Sequence, residues 1–178
     1  MVKATFINLP ASKKKIIRQS LVNEFSTYPL AKAQVARIVA QAGIARGAFY
    51  KYFTDLNDAY QYMYGIAIKA VHSPVELTSA FEPQQYYKNV ANFIEKAQQS
   101  SYAGLIKMHI LYNENSVGQP FPRELITKLD PQNWSAMVLS HATIRLVMEN
   151  PEQEKEVMAR FKASLELLKG EQINVFSN

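Results

Sequence analysis

The stretch that decides the fold runs from Val35 to Phe53 and reads VARIVAQAGIARGAFYKYF. Its first half places apolar residues at the spacing of one helix face: Val35, Ile38, Val39 and Ala42. Gly43 follows, and glycine is the residue best able to adopt the left-handed conformation that ends a helix. The pattern therefore predicts a helix, a tight turn at Gly43 and a second helix that starts near Ala45.

The second of these helices divides into two faces. Its inner side carries the residues that can pack on the first helix: Ala48, Phe49, Tyr52 and Phe53. Its outward side carries two cations, a phenol and a glycine: Arg46, Gly47, Tyr50 and Lys51. A short, basic second helix across a glycine turn is what a DNA-reading helix-turn-helix requires. The alternative interpretation is an ordinary pair of antiparallel helices with a solvated cationic face.

Two residues at the start of the second helix favour the DNA interpretation. Arg46 lies in the first turn, where the helix dipole is positive and a cation costs about 0.3–1 kcal/mol. Gly47 costs roughly 1 kcal/mol relative to alanine inside a helix. Both residues weaken the helix, and both are understandable if its N-terminal end approaches a phosphate backbone and base edges.

The sixteen contiguous positions from Ile38 to Phe53, IVAQAGIARGAFYKYF, resemble the signature of TetR-type (tetracycline-repressor-like) transcriptional regulators. That signature is roughly I-A-x-x-A-G-[VI]-[ST]-x-G-[ST]-[LFI]-Y-x-[HY]-F. This chain departs from the family pattern at Ala33, Ala45 and Ala48, where the family usually has Ser or Thr. Three hydroxyl groups that cap helices or touch DNA in the family are therefore missing here.

The resemblance implies an all-α protein with an N-terminal three-helix DNA-binding head and a C-terminal helical bundle for dimerisation and ligand binding. It implies a helix-turn-helix DNA-binding domain at residues 1–54 and a regulatory and dimerisation domain at residues 55–178. A repressor that binds a palindromic operator as a homodimer, and is released by an effector, is the function it implies. The residues expected at double-stranded DNA are Lys13, Lys14, Lys32, Gln34, Ala45, Arg46, Gly47, Ala48, Tyr50 and Lys51.

The charge of the chain is divided in the same way. Residues 1–53 hold nine Lys or Arg and a single acid, Glu24, for a net charge of +8. The remaining residues hold eleven basic and fourteen acidic side chains, a net charge of −3, which together give the overall +5. A basic head on a mildly acidic body is expected of a nucleic-acid reader with a separate second domain.

Composition and motifs argue against several other classes. With 48% apolar and 20% charged residues the chain is globular, and the absence of cysteine excludes disulfides and thiolate-ligated metals. The N-terminal MVKATFINLP has too short an apolar run for a signal peptide, and no stretch of 18 apolar residues occurs, so a cytoplasmic protein without membrane contact is expected. The three histidines, His72, His109 and His141, have no metal-ligand spacing, and no catalytic motif is present. We therefore expect no enzyme, cofactor or metal.

Before the helix-turn-helix, residues 1–11 are expected to form a loose arm. Ser12 is a candidate N-cap for a helix that runs to about Phe25 with a stripe of buried residues: Ile17, Leu21, Val22 and Phe25. Pro29 breaks the chain, and the next helix is expected to start near Lys32 or Ala33 without a capping side chain.

Beyond the motif, Thr54 or Asp55 is expected to cap the next helix. Asp130-Pro131 and Asn150-Pro151 each place a capping side chain before a proline, and Gly170 is expected to stop the last helix. The expected elements are helices at about 56–72, 83–99, 102–115, 131–149 and 151–169, a loop at 116–123, a short helix near 124–129 and a frayed tail at 171–178.

Two sets of residues in the body are candidates for further function. Ten tyrosines are many for a dry core, because each buried hydroxyl needs a partner, so a pocket for a small hydrophobic or aromatic effector is one interpretation and ordinary packing is the other. The candidate pocket residues are Tyr60, Tyr64, Tyr86, Phe93, Tyr102, Met108, His109 and Tyr112. The last two long helices have wide apolar faces, which suggest either a core or a dimer interface. The candidate interface residues are Trp134, Val138, Ile144, Val157, Phe161, Leu165 and Leu168.

Two alternative functions remain open at this stage. The same head could serve a body that senses a protein partner and activates transcription. The missing hydroxyls also leave room for a protein that binds DNA without sequence preference.

Overall fold

The computed structural model describes residues 2–72, 80–114 and 129–170, and every regular element in these ranges is helical, which confirms the predicted all-α class. The α-helices are α1 (Ala4–Ile7), α2 (Ala11–Thr27), α3 (Val35–Ala42), α4 (Arg46–Tyr52), α5 (Leu56–Val71), α6 (Pro83–Gln99), α7 (Ala103–Met108), α8 (Pro131–Glu149) and α9 (Glu154–Lys169). Short 3₁₀ turns cover Leu30–Lys32 and Pro151–Gln153, and a π-helix covers His109–Asn113. The loop predicted at 116–123, most of the helix predicted near 124–129 and the tail at 171–178 lie outside the described residues.

The chain divides into two compact units. One comprises residues 1–72 and 97–119, and the other comprises residues 73–96 and 120–178. The unit that holds the helix-turn-helix thus extends past residue 54, where the sequence places the end of the DNA-binding domain. Which residues suffice to bind DNA stays a prediction.

Helix α2 is the centre of the first unit, and it packs against α3, α5 and α7. Ile17, Leu21 and Phe25, spaced four residues apart, are fully buried as the sequence predicts. Helix α7 approaches α2 so closely that a Cβ atom on Gly104 would lie 2.8 Å from the Cβ of Ser26. A glycine is therefore required at this crossing.

The N-terminal segment is ordered, and the prediction of a loose arm is wrong. Phe6, at the centre of α1, is 1% exposed and lies against the rings of Tyr52, Phe53 and Tyr62. Burial of one aromatic side chain is worth roughly 1.5–3 kcal/mol, enough to hold a one-turn helix in place. Helix α2 then begins at Ala11, with no side-chain cap, so the prediction of Ser12 as N-cap is also wrong.

Of the residues predicted at helix ends, Asp55, Asp130 and Gly170 lie there as expected, whereas Asn150 does not cap α9. The side chain of Asp55 accepts a hydrogen bond from the Asp58 N–H at 2.8 Å, and that of Asp130 accepts one from the Asn133 N–H at 2.9 Å. Asn150 makes no such bond, because a 3₁₀ turn intervenes before α9 begins at Glu154. Gly170 ends α9 with a right-handed φ of −80°, so its conformational freedom is not used there.

The second unit is built around α8 and α9, which pack against each other. Its core consists of residues from α6, α8 and α9: Val90, Ile94, Ala136, Val147, Met158, Phe161 and Leu165. Two of the predicted interface residues, Phe161 and Leu165, are 3% and 1% exposed in this core. They pack within their own chain, and their part in a dimer interface stays a prediction.

Candidate DNA-binding site

The turn at Gly43 has the geometry that the sequence predicts. Gly43 adopts φ 62° and ψ 37°, which makes it the one described residue with a positive φ. The N–H of Ile44 donates to the carbonyl of Val39 at 3.1 Å, which satisfies a carbonyl at the end of α3. After this corner α4 begins at Arg46, with Ala45 in the N-cap position and without a side-chain cap.

The two faces of α4 also separate as predicted. Phe49 and Phe53 are fully buried, and Tyr52 is 6% exposed, so one side of the helix belongs to the core. On the other side Tyr50 is 41% exposed, and Arg46, Gly47 and Lys51 are exposed. Within the part of the chain that the structure describes, the side chains of Arg46 and Lys51 make no hydrogen bond or ion pair. Helix α4 therefore presents two available cations to solvent.

Gly47 has no structural reason to be glycine within this chain. Its φ is not positive, and a Cβ atom placed on it would meet no atom within 4 Å. An alanine would fit there and would favour the helix by up to about 1 kcal/mol. No contact within the described residues accounts for the absence of a side chain at this position.

The start of α3 is held by a pair that the sequence reasoning missed. Glu24 of α2 is 5% exposed, and both its carboxylate oxygens accept from Nε of Arg37, at 3.0 and 2.9 Å. The N–H of Gln34, the residue before α3, donates to the same carboxylate at 2.7 Å, so Glu24 anchors the start of a helix that has no side-chain cap. This hydrogen bonding to Glu24 raises the pKa of Arg37. The one signal in the sequence was that Glu24 is the single acid among residues 1–53.

Arg37 is thereby removed from the cations that can meet DNA. Its guanidinium also lies over the ring of Tyr28, 3.8 Å from the ring centroid, and donates from Nη2 to the carbonyl of Lys32 at 2.8 Å. An arginine held by a bidentate pair, a stacked ring and a carbonyl is a structural residue. It fixes the 3₁₀ turn and α3 relative to α2.

The other predicted DNA residues are divided between free and engaged positions. Lys13, Lys32, Gln34 and Ala45 are exposed, and Ala48 is half-buried. The ammonium of Lys14 donates to the carbonyl of Ile7 at 3.1 Å, so it is partly committed to the N-terminal segment. No DNA is present, and the role of each of these residues stays a prediction.

Residues 17–55 match the profile of the bacterial regulatory proteins of the tetR family. The match begins at Ile17 in α2 and ends at Asp55, the N-cap of α5, so it contains the whole helix-turn-helix. Residues 17–55 therefore belong to the tetR family of bacterial regulatory proteins. The resemblance seen in the sequence is thereby confirmed.

One solved structure shows the same fold over nearly the whole chain, and two others are more distantly similar. A TetR family transcriptional regulator from Chloroflexus aurantiacus J-10-FL is 19% identical, with a TM-score of 0.60, and the match covers 95% of this chain and 97% of that one. A putative tetR family regulator from Shewanella sp. PV-4 is 16% identical (TM-score 0.48; 88% and 95% covered). FadR from Bacillus subtilis, solved in complex with stearoyl-CoA, is 15% identical (TM-score 0.48; 88% and 98% covered). No curated protein sequence matches the chain.

Three of the candidate pocket residues form one buried cluster. The ring of Tyr64 stacks on His109 with centroids 3.6 Å apart, and the hydroxyl of Tyr60 lies 2.9 Å from Nδ1 of His109. Nδ2 of Asn113 donates to the same hydroxyl at 3.2 Å. Because the cluster is shielded from water, burial lowers the pKa of His109 to about 4 and raises that of Tyr60 to about 12.

The cluster is connected to the turn that precedes α3. Oδ1 of Asn113 accepts a hydrogen bond from the Leu30 N–H at 2.9 Å, across 83 positions of sequence. Leu30 begins the 3₁₀ turn whose last carbonyl, on Lys32, is bound by Arg37. One chain of polar contacts therefore runs from the π-helix to the entrance of the helix-turn-helix.

The remaining candidate pocket residues are dispersed. In the first unit Tyr102 and Met108 are half-buried, and Tyr112 is 59% exposed. Tyr86 and Phe93 fall in the second unit, where the hydroxyl of Tyr86 donates to Oδ1 of Asn133 at 2.9 Å. The structure thus brings Tyr60, Tyr64 and His109 together, and a ligand pocket made of the larger set stays a prediction.

Among residues 2–72, 80–114 and 129–170, no group of three or more His, Asp or Glu side chains is placed to hold a metal ion. No helix in these ranges is long and apolar enough to cross a membrane.

Proposed function

We propose that this protein is a TetR-family repressor that binds a palindromic operator as a homodimer, with α4 in the major groove. The observation that carries the proposal is the outward face of α4. It combines Arg46 and Lys51, two cations without partners among the described residues, with a glycine that no contact there requires. Such a face suits a helix whose N-terminal end lies against base edges.

Each residue of this face has a distinct role in the proposal. Arg46 contacts base edges, since a guanidinium can donate two parallel hydrogen bonds to guanine. Gly47 allows the helix backbone to come close to the DNA. Tyr50 and Lys51 bind phosphate groups, which fix the orientation of α4. Lys13 and Lys32 add charge along the DNA backbone, with a smaller part for Lys14.

The homodimer is proposed to form through α8. Trp134, Val138 and Leu146 are 47%, 45% and 47% exposed, and their spacing places them with exposed Ala142 on one side of the helix. Of the other predicted interface residues, Ile144, Val157 and Leu168 are partly buried against the core and lie at the edge of this surface at most. A two-fold pairing of such faces sets two heads on one side of the duplex.

Release from DNA is proposed to follow when a small hydrophobic or aromatic effector binds the body. The cluster of Tyr60, Tyr64 and His109 supports a site of this chemistry, because it offers stacked rings and a few polar tips. Such an effector favours a state of the dimer in which the two heads cannot reach both half-sites. The loss of operator affinity is then set by how much more tightly the effector binds this state than the DNA-binding state. Repression itself follows from blocking access of polymerase to the promoter.

A second candidate function is DNA binding without sequence preference. It is favoured by Ala45 and Ala48, which bring no hydroxyl group to the DNA-facing end of α4. Such a protein would hold DNA through phosphate contacts alone, and its binding would fall steeply with salt for every sequence.

The test is selection of binding sites from random duplex DNA at physiological salt. Recovery of an inverted repeat supports the dimeric repressor, whereas recovery of no motif contradicts it and favours nonspecific binding. Arg46→Ala should then lose about 1–3 kcal/mol of discrimination between the selected site and a scrambled duplex. Arg160→Ala is the matched control, since it removes an exposed arginine from α9 and should leave discrimination unchanged.

A further inference from the structure

Helix α4 has little to hold it by itself. It has seven residues, with Gly47 in its first turn and no side-chain cap at its start. A helix of this length is far below the 12–15 residues at which an isolated helix becomes marginally stable in water. Its orientation must therefore come from contacts with the rest of the chain.

Several of these contacts come from a segment that lies outside the family match. Residues 2–9 precede position 17, where the tetR profile begins, and α1 packs directly on α4. Phe6 lies beneath the C-terminal end of α4, with its ring centroid 5.8 Å from that of Tyr52 and 4.9 Å from that of Phe53. It fills the space behind the helix on the side opposite Arg46 and Lys51.

Lys3 closes the end of α4 with two hydrogen bonds. Its backbone N–H donates to the carbonyl of Tyr52 at 3.0 Å, and its ammonium donates to the carbonyl of Tyr50 at 2.8 Å. The last carbonyls of a helix have no partner within the helix, and they carry the negative end of its dipole. An ammonium at this position satisfies one of them and neutralises that end.

We infer that Lys3 and Phe6 are positioning residues for DNA recognition: they fix α4 against the core without touching DNA themselves. The inference rests on the proposed function, in that α4 is the helix that reads DNA. Phe6 is buried, and the Lys3 ammonium is engaged on the carbonyl of Tyr50. The N-terminal segment then determines how firmly Arg46 is presented.

The test compares wild type, Lys3→Met and Lys15→Met on a duplex carrying the selected site. Lys15 is an exposed lysine of α2 without a hydrogen bond in the described residues, so Lys15→Met matches the loss of one positive charge. We expect Lys3→Met to weaken binding roughly three- to tenfold, the range of one lost hydrogen bond, with an unchanged slope of log affinity against log salt. In the free protein, hydrogen exchange in residues 46–53 should rise in Lys3→Met and not in Lys15→Met.

Two outcomes would overturn the inference for Lys3. If the salt slope falls by about 0.9 in Lys3→Met while exchange in α4 stays at the wild-type level, Lys3 binds phosphate directly. If Lys3→Met binds the site as tightly as wild type, the contact has no role in recognition. If the wild-type protein itself binds no selected site, the proposed function fails and this inference fails with it.

Phe6 is tested with a conservative variant, because Phe6→Ala endangers the fold of the first unit. Phe6→Leu keeps an apolar side chain and removes the ring contacts with Tyr52 and Phe53. We expect this variant to keep a cooperative thermal transition, to bind the selected site more weakly and to show faster exchange in α4. Wild-type affinity in a folded Phe6→Leu would overturn the role given to the ring.

Discussion

At the scale of single residues, a substitution at Gly47 should change stability and DNA binding in opposite directions. Gly47→Ala meets no atom of the chain and should raise the free energy of unfolding by up to about 1 kcal/mol. The same methyl group should weaken operator binding by about 1–3 kcal/mol, because it stands between the α4 backbone and the DNA. Urea denaturation and a DNA-binding titration measure the two effects in one preparation.

Gly65→Ala provides the matched control for this prediction. Gly65 lies inside α5, and a Cβ atom there would also meet nothing within 4 Å. This variant should gain similar stability and bind DNA as wild type does. A Gly47→Ala protein with unimpaired operator affinity would contradict close approach of α4 to the DNA.

His109 predicts how stability depends on pH. Burial lowers its pKa from 6.5 to about 4. Between pH 6.5 and pH 4 the side chain is therefore protonated in the unfolded chain and neutral in the folded chain. The contribution of the neutral side chain is complete above pH 6.5 and is lost as pH falls toward 4, by at most about 3 kcal/mol. Urea titrations between pH 7 and 4.5 should show this decline.

The decline should be assigned to His109 by substitution. His109→Gln should flatten the pH dependence, whatever it does to stability at pH 7. His72→Gln, at an exposed histidine that follows α5, should retain it. The titratable rings in contact with His109, Tyr60 and Tyr64, have raised pKa values and stay neutral throughout the range. A slope that persists in His109→Gln would contradict the assignment.

At the scale of elements, the crossing of α2 and α7 depends on one glycine. Gly104→Ala would place a methyl group 2.8 Å from the Cβ of Ser26, and the overlap should cost about 1–3 kcal/mol of unfolding free energy. Ser26→Gly removes the opposing atoms, so the double variant should lose less than the sum of the two single variants. If the losses of the two single variants in urea denaturation add up to that of the double variant, Gly104 and Ser26 do not interact at this crossing.

The elements also show what a sequence can predict. The helix-turn-helix was predictable because its information is local: an apolar face, a glycine corner and a basic outward face within nineteen residues, Val35 to Phe53. Asp55 and Asp130 were predictable for the same reason, since a capping carboxylate and the N–H that donates to it lie three residues apart. The Glu24–Arg37 pair and the buried position of Phe6 were not predictable, because each depends on residues that only the folded chain brings together. Asn113 and Leu30 are 83 positions apart, and no local pattern joins them.

At the scale of the whole molecule, the exposed side of α8 predicts the oligomeric state. Val138→Glu places a charge in the centre of the apolar stripe and should convert a dimer to a monomer in sedimentation experiments. Ile16→Glu is the matched control, because Ile16 is 52% exposed on α2 and should leave the dimer intact. A Val138→Glu protein that still sediments as a dimer would place the interface elsewhere.

Fewer basic side chains of residues 1–53 are available to DNA than the sequence count indicates. The sequence gives residues 1–53 nine basic side chains, but Arg37 is paired with Glu24, and Lys3 and Lys14 are bound to carbonyls. The count from the sequence therefore overstates what is free to meet phosphate. Which cations are engaged followed from packing, so it could not be read from composition.

The hydrogen bonds that Lys3 makes with α4 bear on where an affinity tag should be placed. An affinity tag joined ahead of residue 2 begins next to a backbone N–H that is bonded to the last carbonyl of α4. Tag residues at this position would disturb the hydrogen bond between Lys3 and Tyr52. Weak DNA binding by the tagged protein could then be mistaken for a property of the protein itself. A tag at the other end of the chain, or one cleaved before the DNA assay, avoids the confusion.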